Sequence, residues 1–169
     1  MSPRKPSKKR KPVTASPRAI KPSLKTLVET LQLRSIVADS VSFRLNRKEL
    51  GAEPRGVTFS FKQETVAAEA HEVAFRYSLD VTISKSAASR RGNAAGRPAM
   101  RITLEYTATY ETKESEIDRG TVDVYGATLG SLHVLPYIRQ HVADLTVRAG
   151  LPPLMMPLLL PRAPGATAE

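Results

Sequence analysis

The chain has 169 residues, 41% of them hydrophobic, no cysteine and a formal net charge of +10, a length that fits one domain with a sizeable core. Without cysteine there is no disulfide framework, no thiolate metal site and no cysteine nucleophile. The charge is concentrated: residues 1–22 hold eight Lys/Arg, no acid and five of the thirteen prolines, while the remaining 147 residues carry eighteen basic and sixteen acidic side chains.

The basic segment 1–22 reads as a disordered tail, rich in charge, Pro and Ser and with almost nothing to bury. No apolar region follows its charges, so it is not a secretory signal, and its prolines exclude an amphipathic transit helix. Eight clustered cations would release counterions from a phosphate backbone, which makes nucleic-acid binding through the tail the rival reading of function. No aromatic residue stands in the tail to stack on bases, so a solubilising arm is the simpler account.

A domain is expected over 23–161. It opens with SLKTLVETL, a helical turn or a strand lead-in, and then the apolar period switches to two. Leu31, Leu33, Val37, Val41, Phe43 and Leu45 hold odd positions, and Val57, Phe59 and Phe61 repeat the alternation. Val73, Phe75, Tyr77, Leu79, Val81 and Ile83 continue it, and Ile102, Leu104, Tyr106, Ala108 and Tyr110 take even positions. Four alternating segments predict an antiparallel sheet. The Gly-, Asn- and Pro-containing connector 85–98 reads as a long hairpin loop, and the polar run 113–120 closes the sheet.

The pattern then becomes helical, with Leu135, Ile138, Val142 and Leu145 at spacings of three and four and Gly150 placed as a C-terminal stop. Gly126 and Gly130 predict a break before this helix, and Pro136 a first turn or a kink. Strands followed by helices give an α+β class: a four-stranded antiparallel sheet on a long broken helix. One helical layer covers one sheet face, so apolar surface is left over for oligomerisation or binding. In GLPPLMMPLLLP (150–161) the prolines at 152, 153, 157 and 161 force an extended course that cannot span a membrane. Residues 162–169 read as a flexible stub.

Catalytic chemistry is absent from this reading. No GxSxG, HExxH or phosphate-binding glycine loop occurs. His133 and His141, eight apart on one helix, and His71 are read as solvated or hydrogen-bonded rather than metal ligands. Glu111, Glu114, Glu116 and Asp118 are read as a solvated loop. No metal, no cofactor and no enzymatic activity are expected.

Leu135-Pro136-Tyr137 with Arg139, followed by Gly150, Pro153 and Leu154, resembles the principal helix and exit segment of the SecB chaperone family. The four strands, the first beginning near Leu31 and carrying Ser42 and Phe43, resemble that family's sheet; the likeness covers roughly residues 31–160. It implies a cytoplasmic holdase that works without ATP and assembles as a dimer of dimers, a homotetramer with helices sandwiched between sheets. It also implies apolar grooves for unfolded polypeptide. The expected client lining is Val41, Phe43, Phe59, Phe61, Leu154, Met155, Met156, Leu158, Leu159 and Leu160. The expected oligomer contacts are Leu104, Tyr106, Ala108, Leu135, Tyr137, Ile138, Val142 and Leu145. Family members that serve translocation dock the SecA motor through acidic residues on the first strand. This chain has Ser40 and Arg44 there, with Arg44 and Glu105 as the remaining docking positions, and it lacks the family's lid helix and acidic tail. The departures point toward the bacterial, phage- or plasmid-borne SecB-like chaperones that hold an antitoxin.

Overall fold

The computed structural model describes residues 23–50, 55–85, 98–114 and 116–156. The basic tail, most of the 85–98 connector, Leu158, Leu159, Leu160 and the stub at 162–169 lie outside the described residues. Ser23 opens the fold by accepting the backbone N–H of Thr26, which caps a short helix α1 (Leu24–Thr30). Its Leu27 is fully buried, so SLKTLVETL resolves as a helix that enters the core.

The four expected strands are present: β1 (Gln32–Leu45), β2 (Arg55–Glu69), β3 (Glu72–Lys85) and β4 (Met100–Glu111). They form one antiparallel sheet in the order β1-β4-β3-β2. The β2–β3 turn is only Ala70 and His71, and His71 takes a left-handed φ of 74°. Its Nδ1 reaches the Thr112 carbonyl at 3.3 Å, which ties this unusual conformation to the end of β4.

Alternation sorts the sheet into two unlike faces. On one, Val73, Phe75, Tyr77, Leu79 and Val81 of β3 stand beside Tyr110, Ala108, Tyr106, Leu104 and Ile102 of β4, all buried. On the other, the rows are polar across the whole width: Arg44–Arg101–Thr82–Thr58, Ser42–Thr103–Asp80–Ser60 and Ser40–Glu105–Ser78–Lys62. The surplus apolar surface expected from the sequence is therefore not a second greasy face. It lies on the edges of the first.

Strand β1 departs from its predicted pattern. Irregularities in the pairing between Leu33 and Ser35 and between Ala38 and Ser40 each insert one extra residue. Each insertion reverses which parity faces the core. Ile36 and Ala38 thus stand opposite Ala108 and Tyr106, while Val37 stands opposite Thr107 on the polar side and is exposed. Beyond the second irregularity the odd parity returns with Val41, Phe43 and Leu45.

The helix is not broken. Asp118 caps α2 (Arg119–Tyr125), which passes through a π-helical turn (Gly126–Gly130) directly into α3 (Ser131–Arg148). The glycines serve close approach rather than interruption. A Cβ at Gly126 would stand 2.5 Å from the Phe75 ring, and one at Gly130 would collide with the Tyr77 hydroxyl. Pro136 consequently sits inside a long helical run and not in a first turn. Gly150, with φ 76°, ends α3 as expected: its N–H bonds to the Val147 carbonyl and that of Leu151 to Thr146, the pairing of a Schellman motif.

Candidate functional site

Five aromatic side chains anchor the helix to the sheet. The Phe75 ring lies 5.6 Å edge-on from Tyr110 and 6.1 Å from Tyr125, and Phe61 stacks on Tyr77 at 5.9 Å. Over this cluster the π turn presents the Gly126 carbonyl, which accepts the Tyr77 hydroxyl at 2.9 Å. At the β2 edge the Thr65 hydroxyl donates to Asp123 of α2, and Gln63 donates to Thr65. Burial raises the Tyr77, Tyr110, Tyr106 and Tyr125 phenols above their ordinary pKa, so all four keep their hydroxyl protons at neutral pH.

Along β4 the helix is held by two tyrosine–histidine pairs: Tyr110 with His133 Nδ1 at 2.9 Å, and Tyr106 with His141 Nδ1. The two histidines on one helix face are hydrogen-bonding partners, as the sequence indicated.

This packing places most of the expected oligomer residues inside the subunit. Leu104, Tyr106, Ala108, Leu135, Ile138 and Val142 are buried within one chain, and Leu145 is half-buried. The buried six take part in the packing of the subunit itself, while Leu145 keeps some exposed surface. Tyr137 alone of the set is free, 53% exposed, and Leu132 and Val147 join it as exposed apolar positions on α3. The Nε of Arg139 is buried without a hydrogen-bond partner.

The expected client lining divides in the same way. Val41 is 46% exposed on the edge strand, with Leu33 on the same strand face and Val57 at the opposite edge. Phe43, Phe59 and Phe61 are half-buried against the core. In the tail, Leu154 packs against the core and its N–H is received by the buried Thr146 hydroxyl at 3.0 Å. Met156 is only 7% exposed and belongs to this chain's own core, whereas Met155 is 79% exposed. Met156 is therefore a structural residue, not a free lining residue. Leu33 and Val57 went unnamed as lining in the sequence because edge and centre strands carry the same alternation.

Arg44 and Glu105 both lie on the polar face. The Ser40 hydroxyl donates to Glu105 at 3.3 Å, and Arg101 holds Asp80 through its Nε and Nη2 at 2.8 and 2.6 Å. Partial burial would raise the Asp80 carboxyl, but hydrogen bonds from Arg101 and Thr82 outweigh it and hold the group below the usual carboxylate range. Among the described residues no group of His, Asp and Glu is arranged to bind a metal, and no helix is long and apolar enough to cross a membrane.

A four-stranded antiparallel sheet packed on one long helix is a fold this chain shares with a SecB-like chaperone of known structure. The structure of the Mycobacterium tuberculosis Rv1957 SecB-like chaperone, solved in complex with a ChAD peptide from Rv1956 HigA1 antitoxin, superposes with a TM-score of 0.66. That match is 24% identical and covers 80% of this chain and 95% of the other. In sequence, the chain is 42% identical over 62 residues to the SecB-like chaperones Rv1957 and MT2006 of two strains of that organism. The aligned stretch spans 34% of this chain and 34% of each relative, so the chain matches about a third of their length. No family model matches.

Proposed function

We propose that this chain is an ATP-independent holdase dedicated to an aggregation-prone polypeptide such as an antitoxin. The observation that carries the reading is the uncovered apolar strip at the edges of the helix-side face, Leu33 and Val41 on β1 and Val57 on β2, with Met155 beside the tail. Single exposed apolar residues are ordinary, but Leu33 and Val41 share one face of the extended β1 edge, which fits an extended apolar segment, and Val57 stands on the opposite edge. The likeness to a SecB-like chaperone solved with an antitoxin peptide supports that class of client.

The chain acts in this reading as a non-enzymatic cytoplasmic protein and assembles as a dimer of dimers. Tyr137, Leu132 and Val147, exposed on α3, are the groups that a second copy would cover. Coupling to SecA is not part of it, because Ser40 and the cation Arg44 stand on the first strand at the positions the resemblance assigns to docking acids, and Glu105 of β4 is engaged by Ser40.

Purified chain mixed with an unfolding antitoxin should suppress light scattering at near-stoichiometric ratio without nucleotide. Unchanged scattering for the antitoxin and for several unrelated clients rejects the holdase reading. A mass near four chains is expected in solution, and a monodisperse monomer rejects the assembly.

A further inference from the structure

The polar face carries an electrostatic imbalance that neither the core nor the apolar strip explains. Arg44 on β1 and Arg101 on β4 are direct cross-strand partners, an arrangement of like charges that destabilises a sheet. Arg101 is neutralised by Asp80, which it holds by two donors. Arg44 has no carboxylate partner among the described residues, and its side chain is exposed.

Three adjoining hollows meet at Arg101. One of about 180 Å3 is lined by Ser42, Arg44, Arg101 and Thr103. A second of about 400 Å3 lies between Arg44 and Arg101 and extends to Leu45, Asn46 and Pro98. A third of about 320 Å3 continues across the face to Lys62 and Asp80. The result is a trench running from β1 to β2 with three cations and one committed carboxylate; serine and threonine line the first and third hollows, while Leu45, Asn46 and Pro98 line the second.

We propose that this trench docks an acidic segment of a polypeptide, with one carboxylate seated on the unpaired Arg44 guanidinium beside Ser42. The planar guanidinium fork of Arg44 matches a carboxylate with two parallel hydrogen bonds, and the Ser42 hydroxyl supplies a further donor, whereas the Thr103 hydroxyl is directed to Asp80. Seating an anion there also neutralises Arg44, the cation of the cross-strand pair that Asp80 leaves uncompensated. A nucleic acid fits less well. Among the described residues the polar face carries no aromatic side chain to stack a base. The trench is on the sheet face opposite the helix, so its occupant is distinct from the apolar client and the two can bind together.

The test uses the full chain and a fluorescein-labelled decapeptide of alternating Glu and Ser, followed by anisotropy. Binding should weaken with added salt, and Arg44→Glu should reduce affinity by about tenfold or more. Lys25→Glu, the same charge change on α1, should leave affinity within about twofold, which separates the trench from net charge and from the basic tail. Arg44→Gln, which adds no new charge, should lose several-fold and covers the case in which Arg44→Glu fails to fold. Equal losses for Arg44→Glu and Lys25→Glu overturn the proposal, as does a wild-type chain that binds a Lys/Ser decapeptide equally well. Tighter binding of a single-stranded decanucleotide that Arg44→Gln abolishes would assign the trench to phosphate and overturn it too.

Discussion

The Tyr106 hydroxyl on β4 is hydrogen-bonded to His141 on α3, and Tyr110 makes the same bond to His133 eight helix positions earlier. Four strand residues span about 13 Å at 3.3 Å each, and eight helix residues span about 12 Å at 1.5 Å each. The two rulers agree, so an antiparallel strand and helix stay in step over both pairs. The pairs fix the axial position of α3 on the sheet. Tyr106→Phe and Tyr110→Phe should each cost about 0.5–1.5 kcal/mol in urea unfolding, because the histidines retain access to water. Tyr106→Asp should unfold the subunit outright by placing a charge in its core. A folded Tyr106→Asp that merely changes oligomeric mass would show that Tyr106 faces another copy after all.

Gly126 and Gly130 are the points where the helix backbone rests on Phe75 and Tyr77. Alanine at either normally favours a helix by about 1 kcal/mol. Here Gly126→Ala should instead destabilise by about 1–3 kcal/mol or more, since the added methyl overlaps a ring in a close-packed core. Gly120→Ala on the same helix, with only ordinary contact to Asp118 at 3.5 Å, is the control and should be neutral or stabilising. Denaturant midpoints that rank the two glycines equally would refute the close-approach account.

These glycines also mark the limit of what sequence pattern reveals. Four strands, their faces on β2, β3 and β4, the α3 stripe and the Gly150 stop follow from periods of two and 3.6, which local composition records. A π turn leaves no such trace: Gly126 reads as a breaker until Phe75 is seen beneath it. The irregularities at Leu33/Ser35 and Ala38/Ser40 have no sequence mark either, so Val37 was assigned to the face that Ile36 and Ala38 occupy. Six of the eight residues expected at the assembly are buried within the subunit for a related reason. An apolar stripe says that something covers it, and in this chain the helix and sheet cover each other.

Alkaline pH should couple to unfolding. Burial raises the Tyr77, Tyr106, Tyr110 and Tyr125 phenols above their ordinary pKa of about 10. A group with a raised folded pKa contributes stability that is complete below the unfolded value and is lost as pH rises beyond it. Tyrosinate absorbance from these four should therefore appear together with loss of circular dichroism, above about pH 10. Ionisation of all four while the dichroism is intact would contradict their burial.

Asp80 responds in the opposite direction. Its carboxyl is held below the ordinary value, so its pairing with Arg101 contributes above the unfolded pKa of about 3.9 and is lost as pH falls through and below it. The pair is partly exposed, 56% at Arg101 and 28% at Asp80, which limits Asp80→Asn to about 0–1 kcal/mol at neutral pH and low salt. The difference from wild type should shrink in 0.5 M salt, taken as roughly half the concentration at which screening reaches 3 Å, and disappear at acid pH. A constant difference across pH would mean that the effect is not electrostatic.

The two adjacent methionines of the tail should separate structure from binding. Extended backbone turns successive side chains to opposite sides, and after Leu154 is fixed to Thr146 this sends Met156 into the core and Met155 into solvent. Met156→Ser should destabilise the chain by about 2–5 kcal/mol, the range for truncating a buried methionine. Met155→Ser should leave stability within about 0.5 kcal/mol yet weaken binding of an apolar client peptide by about tenfold, if that side chain is buried by the client. Thr146→Val removes the acceptor for the Leu154 N–H and should loosen the tail's hold, with a cost of about 1–3 kcal/mol for the unsatisfied donor. Urea unfolding and peptide anisotropy on the same three variants decide the matter. If Met155→Ser spares client affinity per folded chain, the segment from Leu151 to Met156 is a clasp for its own core and the client is held by the edge strands alone.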